Sequence, residues 1–145
     1  MKKILITGGL GHIGSKIVRQ LHTDYEITVV DNLSTQRYVS LNKMLGISKF
    51  IDCSFLDLTV RQLNEYDAVI HLAAKTDAAS SFDDNGETWK VNVDDTVLFI
   101  DKVKQSSINV FIFPSSTSVY GKGQDVMYER DDNVAPQSPY AESKV

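Results

Sequence analysis

The sequence predicts an α/β fold, a parallel β-sheet doubly wound with helices on both faces. Three observations carry that prediction. Five short apolar runs recur along the chain, at Ile4-Leu5-Ile6, Ile27-Thr28-Val29-Val30, Ser48 to Cys53, Ala68 to Leu72 and Val110 to Phe113. Segments of helical periodicity separate them, with crossovers long enough to be right-handed. The first run meets Gly8-Gly9-Leu10-Gly11-His12-Ile13-Gly14 and then a helical pattern. That is the sequence form of a strand, a tight turn and a helix N-terminus suited to a pyrophosphate.

Taken in order, Ile4-Leu5-Ile6 is apolar without alternation, as a strand covered on both faces should be. Two glycine registers fit the turn, Gly9-x-Gly11-x-x-Gly14 and Thr7-Gly8-x-x-Gly11-x-x-Gly14. In either, one glycine permits the sharp turn, a second lets backbone approach phosphate, and Gly14 lets the helix pack against the strand. Ile13, Ile17, Val18 and Leu21 fall at helical spacing and predict an amphipathic helix from about His12 to His22. The second strand ends on Asp31-Asn32, close to where a dinucleotide fold places the acid that binds the adenosine ribose. A carboxylate there accepts bonds from both ribose hydroxyls and repels a 2′-phosphate, which favours NAD over NADP. The alternative for Asp31 is a turn or cap residue.

Val39 to Leu45 reads as a short helix closed by Gly46. Asp57 stands just past the third strand, on the ligand side of such a sheet, either as an adenine contact or as the cap of the short helix that follows. The fourth strand runs into Ala73-Ala74-Lys75, whose small residues leave room for a cofactor. His71 lies inside that strand and reads as a hydrogen-bonded core histidine, because no second histidine has metal-ligand spacing. From about Thr88 to Ser107 a helical pattern puts Trp89, Val93, Val97, Ile100 and Val103 on one face. Asn92 interrupts that face, and a buried amide needs partners, so it is either solvated or aimed at a ligand. Gly121 to Pro139 reads as a long surface loop.

The totals bound the class. A chain of 145 residues predicts one domain, here a dinucleotide-binding domain over residues 1–145. Its net charge of -4 gives no nucleic-acid surface. No apolar run is long enough to span a bilayer and no signal pattern opens the chain, so a cytoplasmic protein without a membrane partner is expected. The lone Cys53 excludes an internal disulfide and a cysteine-based metal cluster, and reads as a core thiol. No metal is expected.

Hydroxyl groups cluster after the fifth strand in Ser115-Ser116-Thr117-Ser118, at the sheet edge where ligands bind. Further on, Tyr140 and Lys144 are one helical turn apart if a helix begins near Pro139. An ammonium near a phenol favours the phenolate, which can then take a proton from an alcohol while a hydride leaves the same carbon. Ser116 would hydrogen-bond and orient the same oxygen.

These blocks, in this order, resemble the N-terminal part of an extended short-chain dehydrogenase/reductase, most closely the nucleotide-sugar epimerases of the UDP-glucose 4-epimerase kind. The resemblance spans Lys3 to Lys144 and rests on Thr7-Gly8-x-x-Gly11-x-x-Gly14, Asp31-Asn32-Leu33, Asp57-Leu58, His71-Leu72-Ala73-Ala74, Asn92-Val93, Ser115-Ser116-x-x-Val119-Tyr120-Gly121 and Tyr140-x-x-x-Lys144. It implies a Rossmann-type fold and NAD as cofactor. It also implies Tyr140 as acid/base, Lys144 holding the nicotinamide ribose, and Ser116 assisting. The cofactor contacts it implies are Gly8, Gly11, His12, Ile13, Gly14, Asp31, Asn32, Asp57, Leu58, Ala73, Ala74, Lys75 and Asn92, with Tyr140 and Lys144.

Two departures refine the expectation. Related dehydratases and decarboxylases carry carboxylates where this chain has Thr117 and Ser118, so epimerase or simple reductase chemistry is favoured over dehydration. Asp95 stands where the family usually has glycine, and is expected to affect packing rather than chemistry. Relatives continue about as long again with a sugar-nucleotide-binding part. The chain therefore reads as a dinucleotide domain cut before its substrate domain, inactive alone, with Tyr140 and Lys144 prone to fray. A nucleotide sugar would be the substrate of the full-length form, and a homodimer is left open. The alternatives are an NAD(P)-dependent sugar or carbonyl reductase and a non-catalytic dinucleotide sensor.

Overall fold

The apolar runs form five strands, β1 (Lys3–Thr7), β2 (Glu26–Asp31), β3 (Lys49–Asp52), β4 (Ala68–His71) and β5 (Val110–Ile112). All neighbours pair in parallel, in the order β3-β2-β1-β4-β5. The computed structural model describes residues 1–42, 46–122 and 134–145. It divides into two compact units, one of Met1–Ala73 with Leu98–Phe113 and the other of Ala74–Val97 with Pro114–Val145.

The whole sheet lies in the first unit. Alternate side chains enter two separate cores, as a pleated strand requires. Leu5, Val30 and Val69 pack with Phe55, Leu58, Leu63, Tyr66, Phe99 and Val103 on one face. Ile4, Ile6, Ile27, Val29 and Ile70 pack with Leu10 and Val18 on the other. Both faces are apolar, so the sequence shows continuous runs and not alternation. The doubly wound parallel sheet is therefore as expected.

Helix α1 (His12–Leu21) buries Gly14, Ser15 and Val18, while Ile13 is 59% exposed. Ile13 was expected on the inner face. The helix packs tightly at Gly14, where an added Cβ would lie 2.7 Å from the Cα of Gly9. That contact turns the small residue inward and carries Ile13 outward. Short helices α2 (Val39–Asn42) and α3 (Val60–Leu63) follow. Thr59 and Gln62 cap α3 reciprocally. The rest of the helix expected to Leu45, and most of the loop expected over Gly121 to Pro139, lie outside the described residues.

The long helix expected from Thr88 is broken into three pieces. Helix α4 (Glu87–Trp89) runs into a π-turn at Lys90–Asp94 and then α5 (Asp95–Lys104). The buried positions are Thr88, Asn92, Thr96, Phe99 and Val103, whereas Trp89 and Val97 are exposed. Through the π-turn, five residues close a ring where an α-turn uses four, so the inward stripe is displaced from the predicted apolar one. The Thr96 hydroxyl donates to the Val91 carbonyl at 3.1 Å within that turn. Asp95 pairs with Lys90 at 3.1 Å. The last helix is α6 (Pro139–Glu142).

Cys53 is half-buried against the first core. Burial, then Asp57 and Asp52, push its thiol up, which keeps it protonated. Among the described residues no helix is long and apolar enough to cross a membrane, and no three His, Cys, Asp or Glu side chains gather as a metal site.

Candidate functional site

In the first unit the strand order reverses between β1 and β4, and the crevice beyond such a reversal is where doubly wound sheets bind ligands. The glycine turn leaves β1 there. Gly8 has φ +66°, its N–H donates to the Val30 carbonyl at 2.8 Å, and an added Cβ would stand 2.6 Å from the Ala73 nitrogen. Gly8 is thus the turn glycine, which favours the Thr7-Gly8-x-x-Gly11-x-x-Gly14 register. Gly9 is needed for packing, since a Cβ there would lie 2.6 Å from Val29 Cγ1. Gly11 opens α1 with no side-chain cap. Among the described residues no side chain caps the first-turn N–H groups of His12, Ile13 and Gly14, which suits them to an anion.

Thr7 and His71 sit directly behind this turn, both fully buried. The Thr7 hydroxyl bonds His71 Nδ1 at 2.7 Å and accepts from the Ala73 N–H at 3.4 Å. The imidazole is enclosed by Phe55, Phe99, Phe111 and Phe113, with ring centroids 4.8–6.0 Å away. His71 is the hydrogen-bonded core histidine expected. Thr7 joins the site through these bonds, although the resemblance implies no contact for it, and its place before Gly8 is the signal in the sequence.

Asp31 accepts from the Leu10 N–H through Oδ2 at 3.1 Å and from the Leu33 N–H through Oδ1 at 3.0 Å. The second bond closes an Asx-turn around Leu33, whose φ is +57°. Asp31 is therefore a turn residue as well as a ribose candidate. A carboxylate oxygen has two acceptor positions, so each keeps one for a ligand. Asn32 is exposed and accepts from the Ser34 N–H at 3.2 Å.

Of the two roles open to Asp57, capping α3 falls to Thr59. Asp57 Oδ2 accepts from the Ser54 N–H at 3.1 Å and closes its own turn, Phe55–Asp57, instead of capping α3. Leu58 is 1% exposed, with its side chain in the core. Lys102 on α5 holds this turn by donating to the carbonyls of Leu56 and Leu58. Nothing in the local pattern announced that long-range role.

In the second unit, Ser138 caps α6 by accepting from the Ala141 N–H at 3.1 Å, and Pro139 occupies the first helical position. The helix starts where the sequence placed it. It ends after one turn, with Lys144 just beyond its cap, Ser143. The Tyr140 N–H donates to Ser81 Oγ at 3.3 Å, and Ser115 Oγ donates to the Lys144 carbonyl at 2.9 Å. These bonds supply what an isolated turn lacks, so the expected fraying has an opposing set of contacts. Lys144 is 9% exposed, and burial pushes its ammonium below the usual lysine value.

Ser116 caps the turn Thr117–Tyr120, where its Oγ accepts from the Ser118 N–H at 3.3 Å and the Ser118 hydroxyl at 2.9 Å. Its own proton then points elsewhere, available to a ligand oxygen. Asn92 is buried and not solvated. Its Oδ1 accepts from the Lys75 N–H at 2.8 Å, and its Nδ2 donates to the Lys75 carbonyl at 2.9 Å and to Ser143 Oγ at 3.0 Å. The Lys75 side chain is exposed and lies 3.7 Å from Glu87. Ala74, beside it, is half-buried.

The sequence model of the NAD dependent epimerase/dehydratase family matches residues 4–145. The chain belongs to this family. Among its relatives, UDP-glucose 4-epimerase of Haemophilus influenzae is 33% identical over 151 residues, covering 97% of this chain and 45% of that enzyme. dTDP-D-glucose 4,6-dehydratase of Mus musculus is 32% identical over 154 residues, covering 99% of this chain and 43% of that enzyme. The solved UDP-N-acetylglucosamine 4-epimerase of Methanobrevibacter ruminantium M1, in complex with UDP-N-acetylmuramic acid, superposes with TM-score 0.88 at 33% identity. That match covers 99% of this chain and 47% of the other. The chain thus spans less than half the length of these relatives. The epimerase/dehydratase family carries the Rossmann-type fold and NAD dependence that the resemblance implied. Its glycine turn and uncapped α1 fit a dinucleotide pyrophosphate.

Proposed function

We propose that this chain is the NAD-binding part of a nucleotide-sugar epimerase, with residues 1–145 as its dinucleotide domain. The observation that carries the reading is the glycine turn at the sheet's reversal point in a chain that also holds Ser116, Tyr140 and Lys144. Gly8, Gly11 and Gly14 shape the pyrophosphate site, with His12 and Ile13 supplying first-turn N–H groups, and Asp31 accepts the adenosine ribose hydroxyls. Asn32, Asp57, Leu58, Ala73, Ala74 and Lys75 contribute lesser cofactor contacts, the last three largely through backbone. Bound NAD supplies the hydride acceptor. Tyr140 takes the proton from the sugar hydroxyl and later returns it, and Lys144 keeps positive charge near the phenolate. Ser116, whose acceptor positions Ser118 fills, donates to the same oxygen.

Epimerases and dehydratases lie at almost equal identity, so chemistry must separate them. The turn after β5 offers Thr117 and Ser118 and no carboxylate to move a second proton. Inversion without elimination, an isomerase reaction, is what those hydroxyls support. A nucleotide sugar as substrate, a cytoplasmic location and assembly as a homodimer belong to the same reading.

The test is Tyr140→Phe in a form of the protein that turns over. Epimerisation should fall by about a hundredfold or more, the scale of one general acid/base, with NAD binding unchanged. An unchanged rate would remove Tyr140 from the mechanism.

A further inference from the structure

Asn92 and Ser143 form a hydrogen-bonded chain whose direction is fixed at every step. The Tyr140 carbonyl can only accept, so the Ser143 hydroxyl spends its one proton there, at 2.7 Å. Ser143 Oγ must then accept from Asn92, at 3.0 Å, which requires the amide nitrogen on that side. The Asn92 oxygen consequently faces the Lys75 N–H, at 2.8 Å, and the second amide proton reaches the Lys75 carbonyl at 2.9 Å. Asn92 is 3% exposed and Ser143 8%. A buried polar chain with every member paired is rigid, because any other arrangement strands a donor or acceptor away from water.

The local folds at both ends make this chain consequential. Asn92 sits within the π-turn at Lys90–Asp94, the displacement that turns it inward in place of its apolar neighbours. Helix α6 at the other end is a single turn, too short to persist on its own propensity. Ser143 is its C-terminal cap residue, between Tyr140 and Lys144.

The geometry points to Asn92 and Ser143 as positioning residues for the proposed proton transfer: together they tie α6, and hence Tyr140 and Lys144, to the Lys75 backbone. This inference rests on Tyr140 being the acid/base. It reassigns Asn92, which acts on the helix through Ser143 instead of contacting the cofactor.

Amide hydrogen exchange of the chain reads the tie directly. Ser143→Ala removes both of its bonds, and Asn92→Asp keeps the shape but replaces the Nδ2 donor with an acceptor. In each variant the Lys144 amide, which bonds the Ala141 carbonyl at 3.1 Å, should exchange about tenfold faster, the worth of roughly one net hydrogen bond. The Gly8 amide, bonded to Val30, should keep its parent rate, and Ser143→Thr should restore Lys144 protection. In a form that turns over, both variants should lower kcat by about tenfold with KM and NAD affinity little changed. Unchanged Lys144 exchange in Ser143→Ala would overturn the tie. So would weakened NAD binding in Asn92→Asp with kcat preserved, since that marks a direct cofactor contact. Full turnover by Tyr140→Phe alongside fast Lys144 exchange would overturn the acid/base reading alone.

Discussion

In the first unit the candidate ligand groups are mostly backbone, held by parallel strand pairing and two packed cores. In the second they are side chains on single-turn helices, held by caps and side-chain hydrogen bonds. Gly8 illustrates the first kind: its role follows from φ and from the 2.6 Å at which an added Cβ would meet the Ala73 nitrogen. Ser143 illustrates the second: its role follows from one donor and one acceptor. The difference teaches where each unit is vulnerable. Added volume should damage the glycine turn, whereas loss of a hydroxyl or amide should damage the tyrosine helix.

Gly8→Ala breaks the comparison on its strong side. A Cβ at a left-handed position pressed against backbone should cost about 3 kcal/mol, combining the left-handed penalty with overpacking. Urea unfolding would measure the loss, and calorimetry should find NAD binding abolished. Thr7→Val is a smaller test in the same unit. It keeps the volume but leaves buried His71 Nδ1 without the hydroxyl, at a cost of about 2 kcal/mol. Thr7→Ser should retain most of the stability.

Lys144→Met sharpens the comparison on the other side, with the smallest effect. The folded chain holds the Lys144 ammonium below its ordinary 10.5, through burial. Between the lowered value and 10.5 the unfolded chain binds more protons at this site, so its contribution to stability rises with pH across that window. Below the window the ammonium carries the full burial cost. The methionine variant should therefore gain most over the parent at neutral pH, and the gain should shrink as pH approaches 10.5. Chemical unfolding of both chains across that range would measure it.

How much was legible in sequence divides along the same line. The strands and the turn at Gly8 were readable because an apolar run and glycine spacing are local signals. The start of α6 was readable from Ser138-Pro139 for the same reason. The π-turn was not, since it arises from which of Thr88, Asn92, Thr96 and their apolar neighbours finds partners after folding. Asp57, Leu58 and Ile13 were assigned by motif position, yet their surroundings depend on contacts with Ser54, the core and Gly9. Lys102 was invisible because it acts on carbonyls far away in sequence.

The central claim is that this chain binds NAD through the turn at Gly8 and the acid at Asp31. Calorimetric titration of the chain with NAD and then NADP tests it most directly. NAD should bind, and NADP should bind at least about tenfold more weakly, because the 2′-phosphate meets a carboxylate. Binding of neither, or tighter binding of NADP, would contradict the claim.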